Sequence, residues 1–259
     1  MKRILNILLW IGILVYVMVM LGLVNEKMGS VPCHSISVSI TDSADNHFVS
    51  PHDVYSMVLR AFPDILGSPL GLIHTAELEN TVGKYPFVKN AEAYKASDGT
   101  IHIRATQRTP LVRILLSDGG GYYIDSEGFT MPLSDFYTAR VLVANGSYLD
   151  GVGMGIDLDE YQTTKKYKTA WEVYQMAKYI HEHEFWVKQL EQIYVHRDGE
   201  FDLVPRVGAH EILLGGFTDY VEKLENLYAF YDQGLNQEGW NTYKKINLKY
   251  KDQVICSKR

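Results

Sequence analysis

The chain has 259 residues, of which 46% are hydrophobic and 22% are charged, a composition typical of a folded globular protein. The 31 acidic residues outnumber the 25 basic ones, and the formal net charge of −6 argues against a nucleic-acid surface, which would need a basic patch. Cys33 and Cys256 lie near opposite ends of the chain and follow no recognisable spacing pattern. A disulfide between them stays open, because two cysteines so far apart in sequence give it only weak support.

The first predicted element is a transmembrane helix over residues 4–24. This stretch is predominantly apolar and carries no charge, and at about 1.5 Å per residue it would span the ~30 Å hydrocarbon core of a membrane. Lys2 and Arg3 precede it, so the positive-inside preference places residues 1–3 in the cytoplasm. Everything after the helix, beginning with a linker over residues 25–34, is then predicted to lie outside.

Two alternatives to an uncleaved anchor are a cleaved signal peptide and a lipid anchor. The stretch "NEKMGSVPCHS" contains no small-x-small cleavage site, and the apolar run is longer than a usual signal-peptide core. Cys33 could carry a lipid, but Pro32 occupies the position where a lipidation site needs a small residue. The sequence therefore favours an uncleaved anchor with its N-terminus in the cytoplasm.

Residues 35–109 predict a β-α-α-β-β unit. Ser50 is a favourable N-cap, Pro51 suits the first helical position, and the Asp53 carboxylate can accept hydrogen bonds from the free N–H groups of the first turn. A Ser-Asp-Gly turn at residues 97–99 joins two alternating segments as a hairpin. The predicted elements, in chain order, are a strand at residues 35–40, a helix beginning after Ser50, a helix from about residue 75 to 83, and strands at residues 88–94 and 101–108.

Residues 110–259 predict a mixed β domain with flanking helices. Glycine, aspartate and serine turns separate several short strands, and a helix is predicted over residues 164–184. A later helix has Asp219 as its predicted N-cap, with a glutamate three positions on and Gly234 as its C-terminal stop. A closing strand follows Trp240. The fold class predicted for the whole chain is α+β: a transmembrane helix, the β-α-α-β-β domain and the mixed β domain.

The closing stretch "INLKYKDQV" alternates apolar Ile246, Leu248 and Tyr250 with polar residues. This period of two predicts a strand with one buried and one solvated face. If the strand, predicted to run to Val254, lies at a sheet edge, its unpaired backbone groups can receive a partner segment as a further strand. The alternative is that the chain itself covers the strand, or that it is merely solvated, with its lysines guarding against edge-to-edge pairing.

Several segments, taken in chain order, resemble the FtsQ/DivIB family of bacterial cell-division proteins. They are "ATQRTP" at the end of the first unit, then "YYIDSEGFTMPLS", "ILLGGFTDYVEKLENL" and "INLKYKDQVI". The resemblance implies that residues 35–109 form a POTRA domain and residues 110–259 the β domain of that family. The chain departs from the family where Gln107 replaces a common glutamate and where Asn247 and Lys249 replace an aspartate and an arginine. Salt bridges at these points should therefore not be assumed.

The resemblance also implies a function. It indicates a non-enzymatic divisome scaffold that links early and late division proteins at the septum, with its anchor in the inner membrane and its bulk in the periplasm. The implied partners are FtsB- and FtsL-like proteins, together with other septal proteins, bound at the last strands of the β domain. Trp240 is a further candidate because aromatic residues are enriched at interfaces. The candidate partner-binding residues are Trp240, Ile246, Asn247, Leu248, Lys249, Tyr250, Lys251, Gln253 and Val254.

Two other function classes compete with the scaffold. A POTRA-containing component of outer-membrane protein assembly or secretion is the main alternative, but it needs many membrane-spanning strands where the segment after Pro110 predicts two long helices. A membrane-anchored enzyme would need a convergent acid, base, nucleophile or metal set. In "HEHEF" the position four after His181 is Phe185 rather than a second histidine, and Asp125 and Glu127 are typical of a hairpin turn. We therefore expect no enzymatic activity, no cofactor and no metal.

Overall fold

The computed structural model describes residues 9–19, 30–41, 46–235 and 239–259. Residues 9–19 are helical, yet none of the helices within these ranges is both long and apolar enough to cross a membrane. Such a helix needs about 20 predominantly apolar residues. The transmembrane helix predicted over residues 4–24 is therefore wrong as an element of the fold. The parts of that prediction at residues 4–8 and 20–24, and the predicted tail at residues 1–3, lie outside the described residues.

The chain divides into two compact units, residues 1–107 and residues 108–259. The elements of the first unit are β1 (Ser35–Thr41), α1 (Pro51–Ala61), a 3₁₀ turn (Leu70–Leu72), α2 (Thr75–Gly83), β2 (Val88–Lys95) and β3 (Thr100–Gln107). This is the β-α-α-β-β order that the sequence predicts. Strand β3 is central in the sheet, with β1 parallel to it on one side and β2 antiparallel on the other.

Helix α1 begins as predicted, with Ser50 as its N-cap and Pro51 as its first residue. The Ser50 hydroxyl accepts a hydrogen bond from the Asp53 N–H (3.2 Å), and the Asp53 carboxylate accepts one from the Ser50 N–H (2.9 Å). This reciprocal pair satisfies backbone donors that the first turn of a helix leaves free. Val54 and Val58 are fully buried on the face of the helix that contacts β1.

The second unit contains a nine-stranded mixed sheet among its described residues. Its elements are β4 (Pro110–Leu115), β5 (Gly121–Asp125), β6 (Thr130–Pro132), β7 (Leu142–Gly146), α3 (Lys168–Glu182), α4 (Trp186–Gln189), β8 (Leu190–Val195), β9 (Phe201–Pro205), β10 (Glu211–Gly215), α5 (Tyr220–Phe230), β11 (Tyr243–Asn247) and β12 (Ile255–Lys258). The strand order is β12-β11-β10-β9-β8-β7-β4-β5-β6. Strand β7 runs parallel to both of its neighbours, and β10 runs parallel to β11.

Helix α3 buries its predicted apolar face but starts later than predicted, whereas α5 starts after Asp219 as predicted but leaves the predicted core residues Val221 and Tyr228 exposed. The buried positions of α3 include Ala170, Val173, Tyr174, Ala177 and Ile180, all predicted to face the core. This helix begins at Lys168 rather than at residue 164, because the preceding residues form turns, one of them closed by the Tyr167 N–H donating to the Thr164 C=O (2.9 Å). The prediction that Asp219 caps α5 with its side chain is wrong: its backbone is left-handed (φ 58°), and its side chain makes no capping hydrogen bond.

The end of the sheet differs from the single edge strand predicted over residues 246–254. Strand β11 ends at Asn247 and lies inside the sheet, between β10 and β12. A turn follows, in which the Gln253 N–H donates to the Tyr250 C=O (3.3 Å) and Asp252 has a left-handed φ of 57°. Aspartate tolerates this backbone region better than most residues do. The alternation of residues 246–250 therefore runs into a turn instead of continuing as a strand.

Candidate partner-binding surface

Strand β12 is the outermost strand at one end of the sheet that the described residues form. The Arg259 N–H donates to the Thr242 C=O (3.2 Å), so residue 259 faces back across the pairing with β11. The Leu248 N–H donates to the Leu213 C=O of β10 (2.9 Å). The backbone groups of the even-numbered residues at this point therefore face β10, and those of the odd-numbered residues of β11 face β12. Because successive residues of a strand turn their backbone groups to opposite sides, Ile255 faces β11 and Cys256 faces outward. The N–H and C=O of Cys256 thus point away from the sheet, where a partner strand could meet them.

Exposed apolar side chains accompany this backbone edge. Tyr250 is 57% exposed in the turn, and Ile255 is 44% exposed at the start of β12. Lys251 and Gln253 are exposed between them. The Cys256 side chain is half-buried, and its burial raises the pKa of the thiol. We name the backbone of β12 together with the side chains of Tyr250, Lys251, Gln253 and Ile255 the C-terminal edge surface.

Four of the predicted partner-binding residues pack into the core of the unit or against it. Ile246 and Leu248 are buried core residues. Trp240 is half-buried, and its ring meets the ring of Tyr231 edge-on with 5.2 Å between centroids. Val254 is half-buried against the same core. Contact of these side chains with a partner stays a prediction.

Asn247 and Lys249 hold the turn that leads to β12. The Asn247 Oδ1 accepts a hydrogen bond from the Lys249 N–H (2.9 Å). The Lys249 ammonium forms a salt bridge with the Glu200 carboxylate, which lies just before β9, and this contact raises the pKa of Lys249. A salt bridge at this position is not predicted from the sequence, since lysine stands where the resemblance leads one to expect an arginine. The structure shows that the lysine forms one within its own chain.

A groove of about 310 Å³ lies between this turn and the start of α5. Asp219 and Glu222 line it from the helix, and Lys249 and Lys251 line it from the turn. Lys223 also lines the groove; its ammonium donates to a backbone carbonyl (2.9 Å), and burial lowers its pKa. Charges of both signs therefore face one space beside the C-terminal edge surface. Such a groove can select the side chains of a segment that pairs with β12, because main-chain pairing alone carries little sequence preference.

The sequence prediction misses β12, and with it Ile255 and Cys256. The signal that could have found them is the polar stretch "KDQ", which separates the alternating residues 246–250 from a second short apolar segment. Polar residues that tolerate a left-handed backbone, placed between two apolar segments, are typical of a hairpin loop. The two segments pair in that way, with Asn247 opposite Ile255 and Ile246 opposite Cys256.

The candidate acid and base residues occupy structural positions. One oxygen of the buried Asp125 carboxylate accepts hydrogen bonds from the N–H groups of Glu127 (2.9 Å) and Phe129 (2.8 Å), and the other pairs with the Arg108 guanidinium (2.8 Å). In "HEHEF", His183 Nδ1 accepts a backbone hydrogen bond (3.3 Å) just beyond the end of α3. Within the described ranges, no three His, Cys, Asp or Glu side chains are grouped so that they could hold a metal ion.

Comparison with known proteins assigns a family likeness to each unit. A family model described as "FtsQ/DivIB, C-terminal related" matches residues 109–257, and a model described as a POTRA-like domain matches residues 31–106. Among curated proteins, the "Cell division protein FtsQ" of Rhodothermus marinus is 25% identical over 199 residues, which cover 73% of this chain and 67% of that protein. The first family match alone extends over more than half of the chain.

Proposed function

We propose, from the premise that this chain belongs to the FtsQ/DivIB family, that it acts in bacterial cell division as a non-enzymatic scaffold. Residues 35–109 and 110–259 would be its two folding domains, the first a POTRA domain. Its role would be to link early and late division proteins at the septum. Family membership supports the cell-division role. The scaffold role and the partners named below are the further content of the proposal.

The proposed partner site is the C-terminal edge surface, and the proposed occupants are FtsB- and FtsL-like proteins. The observation that supports this site is the outermost position of β12 in the sheet, with the N–H and C=O of Cys256 turned outward. A partner segment in extended conformation can add to β12 as a further strand and gain main-chain hydrogen bonds there. Tyr250 and Ile255 would then pack against its side chains, since both are exposed and adjoin that edge.

Proline at Cys256 tests the pairing directly. Cys256→Pro removes the outward N–H and adds ring atoms on the side where the partner would lie, and proline is tolerated at edge-strand positions whose N–H faces solvent. Loss of one hydrogen bond and a poorer fit should weaken binding of the FtsB-like protein from the same organism by about threefold to tenfold. Cys256→Ala is the matched control, because it removes the same side chain and keeps the N–H.

The measurement is binding by calorimetry or surface plasmon resonance, with a thermal melt for each variant. A third variant, Ile255→Pro, removes an N–H that faces β11, so it should lower the melting temperature as well as the affinity. Cys256→Pro and Cys256→Ala should melt alike. If Cys256→Pro binds the FtsB-like protein as tightly as Cys256→Ala does, the partner does not pair with β12.

The cellular role is tested by depletion. Loss of a divisome scaffold should give filamentous cells with unsplit septa, and a fluorescent fusion should concentrate at the septum. The competing role in outer-membrane protein assembly predicts a different result, namely falling levels of outer-membrane proteins in cells that still divide. That result would contradict the proposed function.

A further inference from the structure

A second groove in the residue 108–259 unit lies away from the C-terminal edge surface. It opens where β7 begins, next to the last turns of α3 and the start of β8, and has a volume of about 520 Å³. Ligand sites in proteins commonly measure about 300–1,000 Å³, so this space can hold side chains of a partner. Its apolar lining includes the half-buried Val143 and the exposed Val187, together with the buried Ala177, Ile180 and Leu190.

Two arginines set the charge of this groove. Arg140 precedes β7 and Arg206 follows β9, and both line the groove with exposed side chains. Neither guanidinium forms an ion pair with any residue in the described ranges. The Arg206 N–H donates to the Gln189 C=O (2.6 Å), which fixes the point from which that side chain extends. We name this space the Arg140–Arg206 groove.

The groove is positively charged, whereas the chain as a whole is negatively charged. The protein has a formal net charge of −6, yet two arginines line this apolar space. Among the residues that the structure describes, the carboxylate lining it is that of Glu191, which pairs with neither arginine. Arginine is well suited to bind carboxylates, because its planar fork can donate two parallel hydrogen bonds. A basic partner would be repelled at this rim, whereas an acidic one would be attracted.

Strand β7, which lines the groove, cannot receive a further strand. Strand β7 is paired on both sides, with β4 and with β8, so its N–H and C=O groups are already used in the sheet. A ligand in this groove must therefore be recognised through side chains. The apolar lining favours an apolar side chain of the ligand, and the two arginines favour carboxylates of the ligand close to that side chain.

We propose that the Arg140–Arg206 groove binds an acidic peptide segment of a partner protein, with an apolar side chain seated against Val143 and Val187 and flanking carboxylates on the two arginines. This site is separate from the C-terminal edge surface and does not rest on the proposed binding of FtsB- or FtsL-like proteins. The mixed lining suits a segment in which apolar and acidic side chains alternate, rather than a uniformly apolar chain.

The probe is a fluorescent synthetic peptide of about twelve residues in which leucine and glutamate alternate, titrated with the full chain and followed by anisotropy. Reversal of both charges with Arg140→Glu and Arg206→Glu should weaken binding at least about tenfold, since each change replaces an attraction with a repulsion. The matched control carries Lys165→Glu and Arg197→Glu, which make the same charge change at exposed residues outside both proposed surfaces. It should bind the peptide within about twofold of the parent.

Two further measurements keep the test decisive. A milder pair, Arg140→Gln and Arg206→Gln, should also weaken binding, and all variants should melt like the parent, because both arginines are exposed. A peptide with glutamine in place of glutamate should bind more weakly than the acidic peptide. Equal binding of the two peptides, or an equal loss in the control variant, would overturn the proposal. Groove-dependent binding to phosphatidylglycerol vesicles without binding to the peptide would overturn it too, by assigning the groove to a lipid surface.

Discussion

Gln107 joins β3 to the segment that leads into α1, and replacing it should loosen the whole first unit. Its side chain is 2% exposed; Oε1 accepts a hydrogen bond from the Val49 N–H (2.9 Å), and Nε2 donates to the Asn46 C=O (2.9 Å). Val49 and Asn46 are themselves buried. Gln107→Leu keeps a side chain of similar size but leaves one donor and one acceptor without a partner. A buried polar group left in that state costs about 1–3 kcal/mol.

The two orphaned groups together set the expected magnitude. Their cost of about 2–6 kcal/mol is partly offset by the extra apolar burial of leucine, so the unit should lose roughly 2–4 kcal/mol. Hydrogen exchange on the full chain measures this loss where it occurs, in peptides covering α1 and β3. Peptides of the second unit serve as an internal reference. Asn90→Leu, an exposed position on β2, is the control variant and should change exchange little.

Gln107→Glu separates the two hydrogen bonds, and glutamate is the residue common in the family at this point. An ionised glutamate can still accept from the Val49 N–H, but it cannot donate to the Asn46 C=O and places a negative charge beside it. The deficit should therefore shrink as the pH falls and the carboxyl regains a proton that it can donate. If Gln107→Leu leaves exchange in the first unit unchanged, the side chain does not hold this segment and the reasoning fails.

Three further predictions concern a helix cap, a glycine and a histidine. Ser50→Ala should cost the first unit about 0.5–2 kcal/mol in hydrogen exchange, and no change would contradict the role of the cap. Gly146→Ala should cost above about 3 kcal/mol in denaturant melts, because φ is +120° and a Cβ would meet the backbone of β8; Gly119→Ala, also left-handed but in open space, should cost only about 1–2. Burial lowers the pKa of His210 from 6.5, so the unfolded chain takes up a proton that the folded chain resists. The free energy of unfolding should fall as the pH drops below 6.5, by up to about 1.4 kcal/mol per pH unit. His210→Asn should reduce this dependence of stability on pH.

The parts of the fold that the sequence predicts are those fixed by neighbouring residues. The start of α1 is confirmed because Ser50, Pro51 and Asp53 interact within one turn of helix. The core face of α3 is confirmed because the helical spacing of its apolar residues is visible within the helix itself. The start of α5 after Asp219 is confirmed as well, but the side-chain cap is not, since Asp219 takes a left-handed backbone that the capping pattern does not reveal. A capping box in the sequence shows which side chains could bond, but the backbone angle decides whether they do.

The end of the sheet shows why the candidate site was only partly predictable. The alternation of apolar and polar residues in a segment does not determine which other strand will pair with it. The Leu248 N–H bonds to Leu213 and the Lys249 side chain to Glu200, and both partners are more than 30 residues away in the sequence. These distant contacts place β11 inside the sheet and leave β12 at its edge. The Arg140–Arg206 groove is harder still to foresee, because Arg140 precedes β7 and Arg206 follows β9, and only the pairing of both strands with β8 brings them to one space.

The two proposed surfaces of the second unit lie far enough apart to be occupied together. The order β12-β11-β10-β9-β8-β7 contains five strand spacings, which at about 4.8 Å each separate β7 from β12 by about 24 Å. An extended partner would need about seven residues at ~3.3 Å to bridge that distance. One partner with a longer linker could therefore use both surfaces, the second contact gaining from a high effective concentration, or two partners could each use one. The alternating leucine–glutamate peptide, bound in the groove, should then leave an FtsB-like protein in place at β12. Displacement of that protein by the peptide in a competition titration would show that both bind one surface, and it would contradict the separation argued from the strand order.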